Sequence, residues 1–202
     1  LDDCYELAAG VVSSDSERSM AKGKEIGIPD GRAYSSVSRM LELEKKRADG
    51  ADVVAIMTPN DTHFEYAMAA LDYGFDVICD KPMTNTVEEA RTLHNKVVGK
   101  GRIFCLTHVY SGYAMTRQAR AMVSSGELGE IRLVQVEYVQ GGKADERKAD
   151  PVTGPRSWKF DPAKGGPSLV MGDIGTHAHH LVRFITGLEI IEVCAEAGAI
   201  VP

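Results

Sequence analysis

The amino-acid sequence predicts an α/β protein in which a parallel sheet is followed by a second, differently built region. Short apolar segments such as "DVVAIM" (52–57) recur, and segments of helical pattern separate them. Strands that are apolar along their whole length are typical of a parallel sheet covered by helices on both faces. Further along, "IRLVQVEYVQ" (131–140) alternates apolar and polar residues, which indicates a sheet with one wet face.

The first region contains four predicted strands and four predicted helices. In order they are a strand at 5–12, helices at 15–28 and 37–48, a strand at 52–57, a helix at 62–73, a strand at 75–79, a helix at 86–100 and a strand at 102–107.

Capping signals set the starts of three of these helices. Asp15 is a suitable N-cap for the first. Thr62 with Glu65, and Thr86 with Glu89, match the capping-box pattern of a hydroxyl followed three residues later by a glutamate. We therefore expect helices to begin next to these residues.

The second region predicts a helix at 113–129, the alternating strand at 131–140, a long loop at 141–167, a helix at 169–186 and a strand at 190–201. The change of pattern predicts two domains, at 1–110 and 111–202.

Composition narrows the class of protein. The chain has 202 residues, of which 44% are hydrophobic, and its net charge is −6. This acidic balance predicts that the protein has no basic face that could bind nucleic acid. No apolar run approaches the ~20 residues that span a bilayer.

Cys79, Cys105 and Cys194 lie in apolar runs, and no C-x-x-C pair occurs, which predicts buried free thiols in a reducing cytoplasm. Because the chain starts on a strand without a methionine and stops after another, we expect it to be incomplete at both ends.

Three short segments are predicted to meet at one edge of the parallel sheet. They are "TPND" (58–61), "DKPM" (80–83) and "THVY" (107–110), and each follows a strand. Ligands bind outside the carboxyl ends of such strands. Lys81 precedes Pro82 and should therefore stay extended. Its ammonium is either a substrate-facing donor or a solvated group at a turn.

The segment "GDIGTHAHH" (172–180) is the second candidate for chemistry. On a helix, Asp173 and His177 are four residues apart and share a face, so the carboxylate can orient the imidazole as a general base requires. The plain alternative is an ordinary Asp–His helix pair. His179 and His180 lie nearby, but three histidines spaced in this way do not all face one side of a helix, and we expect no metal.

No G-x-G-x-x-G dinucleotide fingerprint occurs. Gly99 and Gly101 follow a helix and lack a third glycine. The first strand and its glycine turn would precede Leu1, and their absence fits an incomplete chain as well as it fits a protein that binds no nucleotide.

Four ordered patterns together resemble the glucose–fructose oxidoreductase and inositol dehydrogenase family (Gfo/Idh/MocA). They are "TPNDTH", "VICDKPMTNTVEEA", "SGELGEIRLVQVEY" and "SWKFDPAKGGPSLVMGDIGTHAHHL". The second is similar to the family's Glu-Lys-Pro signature, and the last to its Trp-basic-x-Asp-Pro segment and Asp-x-x-x-His helix. Asp80, Val109 and Pro167 depart from the family pattern.

The resemblance implies a Rossmann-type domain, here without its first strand and glycine turn, followed by part of an α/β domain with a mostly antiparallel sheet. It implies an NAD(P)-dependent oxidoreductase that acts on a sugar or polyol hydroxyl, and a homodimer or homotetramer when full length. The alternative is a non-catalytic dinucleotide-binding regulator with the same fold.

The resemblance also assigns residues. Lys81, Asp173 and His177 match the catalytic positions, and with Tyr110 and Trp158 they are expected to contact substrate. The implied cofactor residues are Thr58, Pro59, Asn60, His63, Asp80, Lys81 and Pro82.

Ser13, Ser14 and Arg18 are expected at the cofactor ribose, because they follow the strand at 5–12. A serine hydroxyl and an arginine suit a 2′-phosphate, so we expect NAD or NADP with a slight preference for NADP. Alternatively, the Asp15 carboxylate accepts a hydrogen bond from the ribose 2′-hydroxyl, which would favour NAD.

Overall fold

The computed structural model describes residues 4–139 and 158–198. The chain divides into two compact units. The first is Leu1–Thr58 with Thr62–Leu106, and the second is Pro59–Asp61 with Thr107–Pro202. Most of the loop predicted at 141–167, and the end of the strand predicted at 190–201, lie outside the described residues.

A parallel sheet with strand order β1-β2-β3 organises the first unit. The strands are β1 (Val53–Ile56), β2 (Asp76–Asp80) and β3 (Phe104–Thr107). In the register of β1 on β2, Val53 lies opposite Asp76 and Ile56 opposite Cys79. The predicted parallel sheet is confirmed.

Four helices accompany the sheet: α1 (Ser16–Glu25), α2 (Val37–Lys46), α3 (His63–Asp72) and α4 (Val87–Lys100). Their apolar faces and the strands bury one core, formed by Leu41, Val54, Ile56, Ala67, Ala70, Leu71, Phe75, Val77, Cys79 and Leu93. This core fixes the strand ends from which the candidate site projects.

Two of the three predicted caps are present. Asp15 Oδ1 accepts the Arg18 backbone N–H at 2.7 Å, and Thr86 with Glu89 forms a complete capping box. The box predicted at Thr62 is wrong. Asn60–Thr62 already form a 3₁₀ turn, so Thr62 has helical φ and ψ angles of −98° and −11° and makes no side-chain cap.

The strand predicted at 5–12 forms only a single parallel bridge, between Gly10 and Ala33. Tyr5, Leu7 and Val12 on this segment are exposed.

A buried polar network stabilises the start of the sheet. The Arg32 guanidinium donates to both Glu44 oxygens, and Tyr34 donates its hydroxyl to Glu44 Oε1 at 2.7 Å. Burial raises the pKa of the Glu44 carboxyl, but the hydrogen bonds from Arg32, Tyr34 and the Ala51 amide outweigh it, and the pKa lies below its ordinary value.

The second unit is helical in its described part. Its α-helices are α5 (Ala114–Ser124), α6 (Pro162–Gly165) and α7 (Thr176–Thr186), and a π-helix at Met171–Gly175 leads into α7. Among its described residues, 3₁₀ turns lie at Val109–Gly112 and Trp158–Phe160, and Asn60 and Asp61 belong to a further 3₁₀ turn at Asn60–Thr62. Helix α7 packs on α5, where the Arg120 guanidinium lies 4.6 Å from the Phe184 ring centroid.

The strands predicted at 131–140 and 190–201 are not formed among residues 131–139 and 190–198. Their apolar side chains find no cover there: Leu133 is 86% exposed, Val139 is 87% exposed and Ile191 is 93% exposed. An alternating pattern makes a sheet only when one face is buried.

The helix predicted at 169–186 begins later and with a different geometry. Leu169 has a φ of +28°, which a helix cannot continue through, and the π-helix starts at Met171. A π turn is a feature that proteins often place at functional sites.

The thiol of Cys79 is buried as expected, whereas Cys105 and Cys194 are exposed, because Cys105 lies on the end strand of the sheet and Cys194 lies in an uncovered segment. Among the described residues, no helix has the length and apolarity needed to cross a membrane.

Candidate active site

The carboxyl ends of β1 and β2 carry the predicted site residues of the first unit. Because the strands are parallel and Ile56 lies opposite Cys79, Thr58 and Lys81 each follow just beyond the same edge of the sheet. Lys81 and Pro82 are half-buried, Asp80 is exposed, and the peptide bond between Lys81 and Pro82 is cis.

His63 lies beneath this edge. Its ring is completely buried, with Nδ1 at 2.7 Å from the Pro82 carbonyl oxygen and Nε2 at 2.9 Å from the Thr58 carbonyl oxygen. The hydroxyls of Thr58 and Thr62 lie 2.6 Å apart beside it. Both ring nitrogens of His63 thus face backbone carbonyls of the two segments that follow β1 and β2.

The start of α1 holds the predicted ribose residues. Ser13 Oγ accepts the Asp15 backbone N–H at 3.1 Å, and the Asp15 carboxylate caps the helix at Arg18. Ser14 and the Arg18 side chain are exposed. The segment therefore presents a hydroxyl and a guanidinium to solvent, next to a carboxylate whose Oδ1 is used for capping.

Asn60 belongs to the second unit, with Pro59. Its Nδ2 donates to the Gly165 carbonyl oxygen at 2.9 Å. A glycine is needed at 165, because a Cβ there would lie 2.6 Å from the Lys159 carbonyl oxygen. The Asn60 amide is thus tied to the Gly165 segment.

Asp173 and His177 lie at the junction of the π-helix and α7. His177 is 7% exposed, and Asp173 Oδ1 lies 3.4 Å from the Lys159 ammonium. The Tyr110 ring packs edge-on against His177, with centroids 4.7 Å apart. The structure thus brings two of the predicted substrate residues, Tyr110 and His177, into contact.

Two further histidines, His108 and His180, belong to this cluster, and the sequence analysis assigns neither of them a role. His108 stacks on His180, with ring centroids 4.0 Å apart, and meets His177 at 5.9 Å in a T-shaped contact. Burial first, and then the charges of His179 and Arg183, hold the pKa of His180 below its ordinary value. The signal for His108 was its place directly after β3, in "THVY".

The remaining predicted substrate residues lie at the margin of the cluster. The Tyr110 hydroxyl lies 2.6 Å from that of Tyr138, and this hydrogen bond is the main cause that raises the pKa of Tyr110 above its ordinary value. Trp158 is half-buried, with the Lys159 ammonium 5.9 Å from its ring centroid. His179 is exposed.

The three predicted catalytic residues are divided between the units, with Lys81 in the first and Asp173 and His177 in the second. In the part of the chain that the structure describes, no group of three His, Cys, Asp or Glu side chains is placed to hold a metal ion.

Comparison with known proteins identifies the class. Residues 2–108 match the model of the oxidoreductase family with the NAD-binding Rossmann fold, GFO_IDH_MocA. Residues 116–202 match the GFO/IDH/MocA C-terminal domain. The chain belongs to the Gfo/Idh/MocA oxidoreductase family.

Three relatives show how far the similarity extends. The chain is 38% identical to the uncharacterized oxidoreductase YfiI of Bacillus subtilis, over 90% of this chain and 46% of YfiI. It is 29% identical to D-xylose 1-dehydrogenase (NADP(+)) 2 of Haloferax volcanii, over 89% of this chain and 50% of the relative. The crystal structure of an inositol dehydrogenase homolog from Azotobacter vinelandii, complexed with NADH and myo-inositol, superposes with a TM-score of 0.81 at 35% identity, covering 92% of this chain and 46% of that chain. The chain spans about half the length of these relatives.

Proposed function

We propose that the intact protein transfers a hydride between a nicotinamide cofactor and a hydroxyl group of a sugar or polyol. The observation that carries this proposal is the buried His177, which lies four residues after Asp173 and against the Tyr110 ring. Two of the similar proteins are named for xylose and inositol and for NADP(+) and NADH, which supports this substrate class and this cofactor class.

His177 is the general base in this proposal. The ring packing of Tyr110 and His108 restricts its imidazole, so that one nitrogen can be held toward the substrate hydroxyl whose proton it takes. Asp173 orients the imidazole, and Lys159 lies beside the Asp173 carboxylate as its cation. A positioned acid–base group of this kind contributes ~10²–10⁴ in rate.

Lys81 is the electrostatic partner in this proposal. Its ammonium follows β2 directly and can donate to the substrate oxygen on which negative charge develops. We expect Lys81→Met to lower kcat. The control Lys96→Met, which removes an α4 side chain paired with Asp72 of α3, should leave kcat unchanged.

The residues of the first unit fit a dinucleotide. Parallel strands end in short segments that offer a threonine hydroxyl, backbone amides and the Lys81 ammonium, a donor set suited to ribose hydroxyls and phosphate oxygens. Thr58, Asp80, Lys81 and Pro82 would hold the nicotinamide half. The bound cofactor supplies hydride exchange, and the protein supplies position and charge.

We propose a slight preference for NADP over NAD. The exposed Arg18 guanidinium can pair with a 2′-phosphate, and Ser13 and Ser14 offer hydroxyls, while Asp15 Oδ1 is engaged as the helix cap. We expect Arg18→Ala to reduce kcat/KM with NADP more than with NAD. If the kcat/KM of the wild type with NAD exceeds that with NADP by more than ~10-fold, about 1.4 kcal/mol, an acid such as Asp15 binds the ribose hydroxyl instead.

A screen of sugars and polyols for reduction of NAD and NADP by the intact protein tests the activity. The proposal expects turnover with at least one cyclic polyol or aldose. Tight dinucleotide binding without turnover of any of them would favour the non-catalytic regulator instead.

We also propose that the full-length protein is a homodimer or homotetramer, as its family resemblance implies. Light scattering on a size-exclusion column measures the mass directly, and a monomer would contradict the proposal.

A further inference from the structure

His63 is completely buried, yet it is surrounded by the segments that carry the predicted cofactor residues. Its two ring nitrogens lie 2.7 Å from the Pro82 carbonyl oxygen and 2.9 Å from the Thr58 carbonyl oxygen. We call residues 58–62 the Thr58 loop and residues 80–86 the Lys81 loop. The imidazole is therefore a bridge between the two loops.

Carbonyl oxygens only accept hydrogen bonds, so each contact is a hydrogen bond only where the ring nitrogen carries a proton. The imidazolium carries both N–H groups and makes both bonds, whereas either neutral tautomer makes one. A buried position with two carbonyl acceptors suits histidine and leaves neither ring nitrogen facing outward.

We infer that His63 is a positioning residue that fixes the Thr58 loop and the Lys81 loop relative to each other. It acts through Thr58 and Lys81 rather than by touching the cofactor itself. The inference rests on the proposed function for its kinetic consequence, since the Lys81 loop carries the proposed electrostatic donor and the Thr58 loop adjoins the proposed nicotinamide site.

The ring geometry allows the two bonds to be removed separately. An asparagine amide nitrogen replaces Nδ1, so His63→Asn keeps the bond to Pro82 and loses the bond to Thr58. A glutamine amide nitrogen replaces Nε2, so His63→Gln keeps the bond to Thr58 and loses the bond to Pro82. His63→Leu loses both, and the exposed His94 on α4 provides the control variant His94→Gln.

Amide hydrogen exchange, read by mass spectrometry, measures each loop without any substrate. We expect His63→Asn to speed exchange in the Thr58 loop alone, His63→Gln in the Lys81 loop alone, and His63→Leu in both, by roughly three- to tenfold for one lost hydrogen bond. His94→Gln should match the wild type. Equal loosening of both loops by the Asn and Gln variants, or no loosening by the Leu variant, overturns the inference.

Kinetics on the intact protein gives the second readout. We expect His63→Gln chiefly to lower kcat and His63→Asn chiefly to raise KM for the cofactor. If the wild type turns over no sugar or polyol, the proposed function fails while hydrogen exchange still decides the role of His63. Should the variants fail to fold in thermal denaturation, NMR of the ¹⁵N-histidine-labelled wild type decides it: two ring N–H groups of His63 that both exchange slowly with solvent support the bridge, and rapid exchange of either one overturns it.

Discussion

The ring of Tyr110 packs edge-on against the imidazole of His177, with centroids 4.7 Å apart. Tyr110 lies in the 3₁₀ turn after β3, and His177 lies in the first turn of α7. The contact joins two distant parts of the sequence, and it restricts the ring that we propose as general base.

This contact predicts that the Tyr110 ring matters more than its hydroxyl. Because Tyr110→Phe keeps the edge-on packing, we expect kcat within about twofold of wild type. Tyr110→Ala removes the packing, and loss of ~0.5–1.5 kcal/mol of aromatic contact should lower kcat by ~2–10-fold. Steady-state kinetics of both variants measures this, and a Phe variant as impaired as the Ala variant would instead give the hydroxyl a direct role.

The hydrogen bond with Tyr138, which raises the pKa of Tyr110, has a pH consequence. The phenol stays protonated until the pH exceeds the ordinary tyrosine value of ~10. Any alkaline limb in the kcat profile below that pH should therefore persist unchanged in Tyr110→Phe.

A second prediction concerns the buried Arg32–Glu44 pair. Glu44→Gln removes the buried carboxylate that pairs with the Arg32 guanidinium, and breaking a buried pair in this way costs about 3–5 kcal/mol of unfolding free energy. Urea denaturation at pH 7 measures the loss. Glu42→Gln, at an exposed ion pair on the same helix, is the matched control and should unfold like the wild type.

The same pair fixes the sign of the pH dependence. The pKa of Glu44 is lower in the folded protein, so its stabilising contribution is fully present above the unfolded value of ~4.3 and is lost as the pH falls through the folded value. The difference between wild type and Glu44→Gln should therefore shrink in acid. A difference that stays constant from pH 7 to pH 3 would contradict the assignment.

Thiol labelling separates the cysteines. Burial raises the pKa of Cys79 to about 12, so at pH 8 only ~10⁻⁴ of it is thiolate, the form that reacts. Cys105 is exposed. We expect iodoacetamide to modify Cys105 within minutes while Cys79 stays unmodified until urea unfolds the protein, as peptide mass spectrometry would show. Modification of both at equal rates would mean that the core around Cys79 opens readily.

The parallel sheet could be read from the sequence because its evidence is local. "DVVAIM" and "FDVIC" are apolar enough to be strands only if buried on both faces, and Thr86 with Glu89 marks a helix start that needs no distant partner. The candidate site followed from the rule that parallel strands end at one edge, which placed Lys81 correctly next to β2.

What could not be read depends on distant contacts. The alternating pattern at 131–140 predicts a strand, but pairing needs a neighbour and a cover, and among the described residues Leu133 has neither. The Thr62 box matched the pattern, yet the turn at Asn60–Thr62 had already placed Thr62 in a helical conformation. The stack of His108 on His180 joins residues 72 positions apart, and no local sequence pattern predicts such a contact.

The central claim is that His177 is the general base of a sugar or polyol dehydrogenase, and one measurement tests it most directly. On the substrate found by the screen, kcat and the cofactor dissociation constant are compared for wild type, His177→Ala and His179→Ala, the last being an exposed histidine on the same helix. The account predicts that His177→Ala lowers kcat by ~10²–10⁴ with cofactor affinity nearly unchanged, while His179→Ala behaves as wild type. A His177→Ala variant with the kcat of the wild type would contradict it.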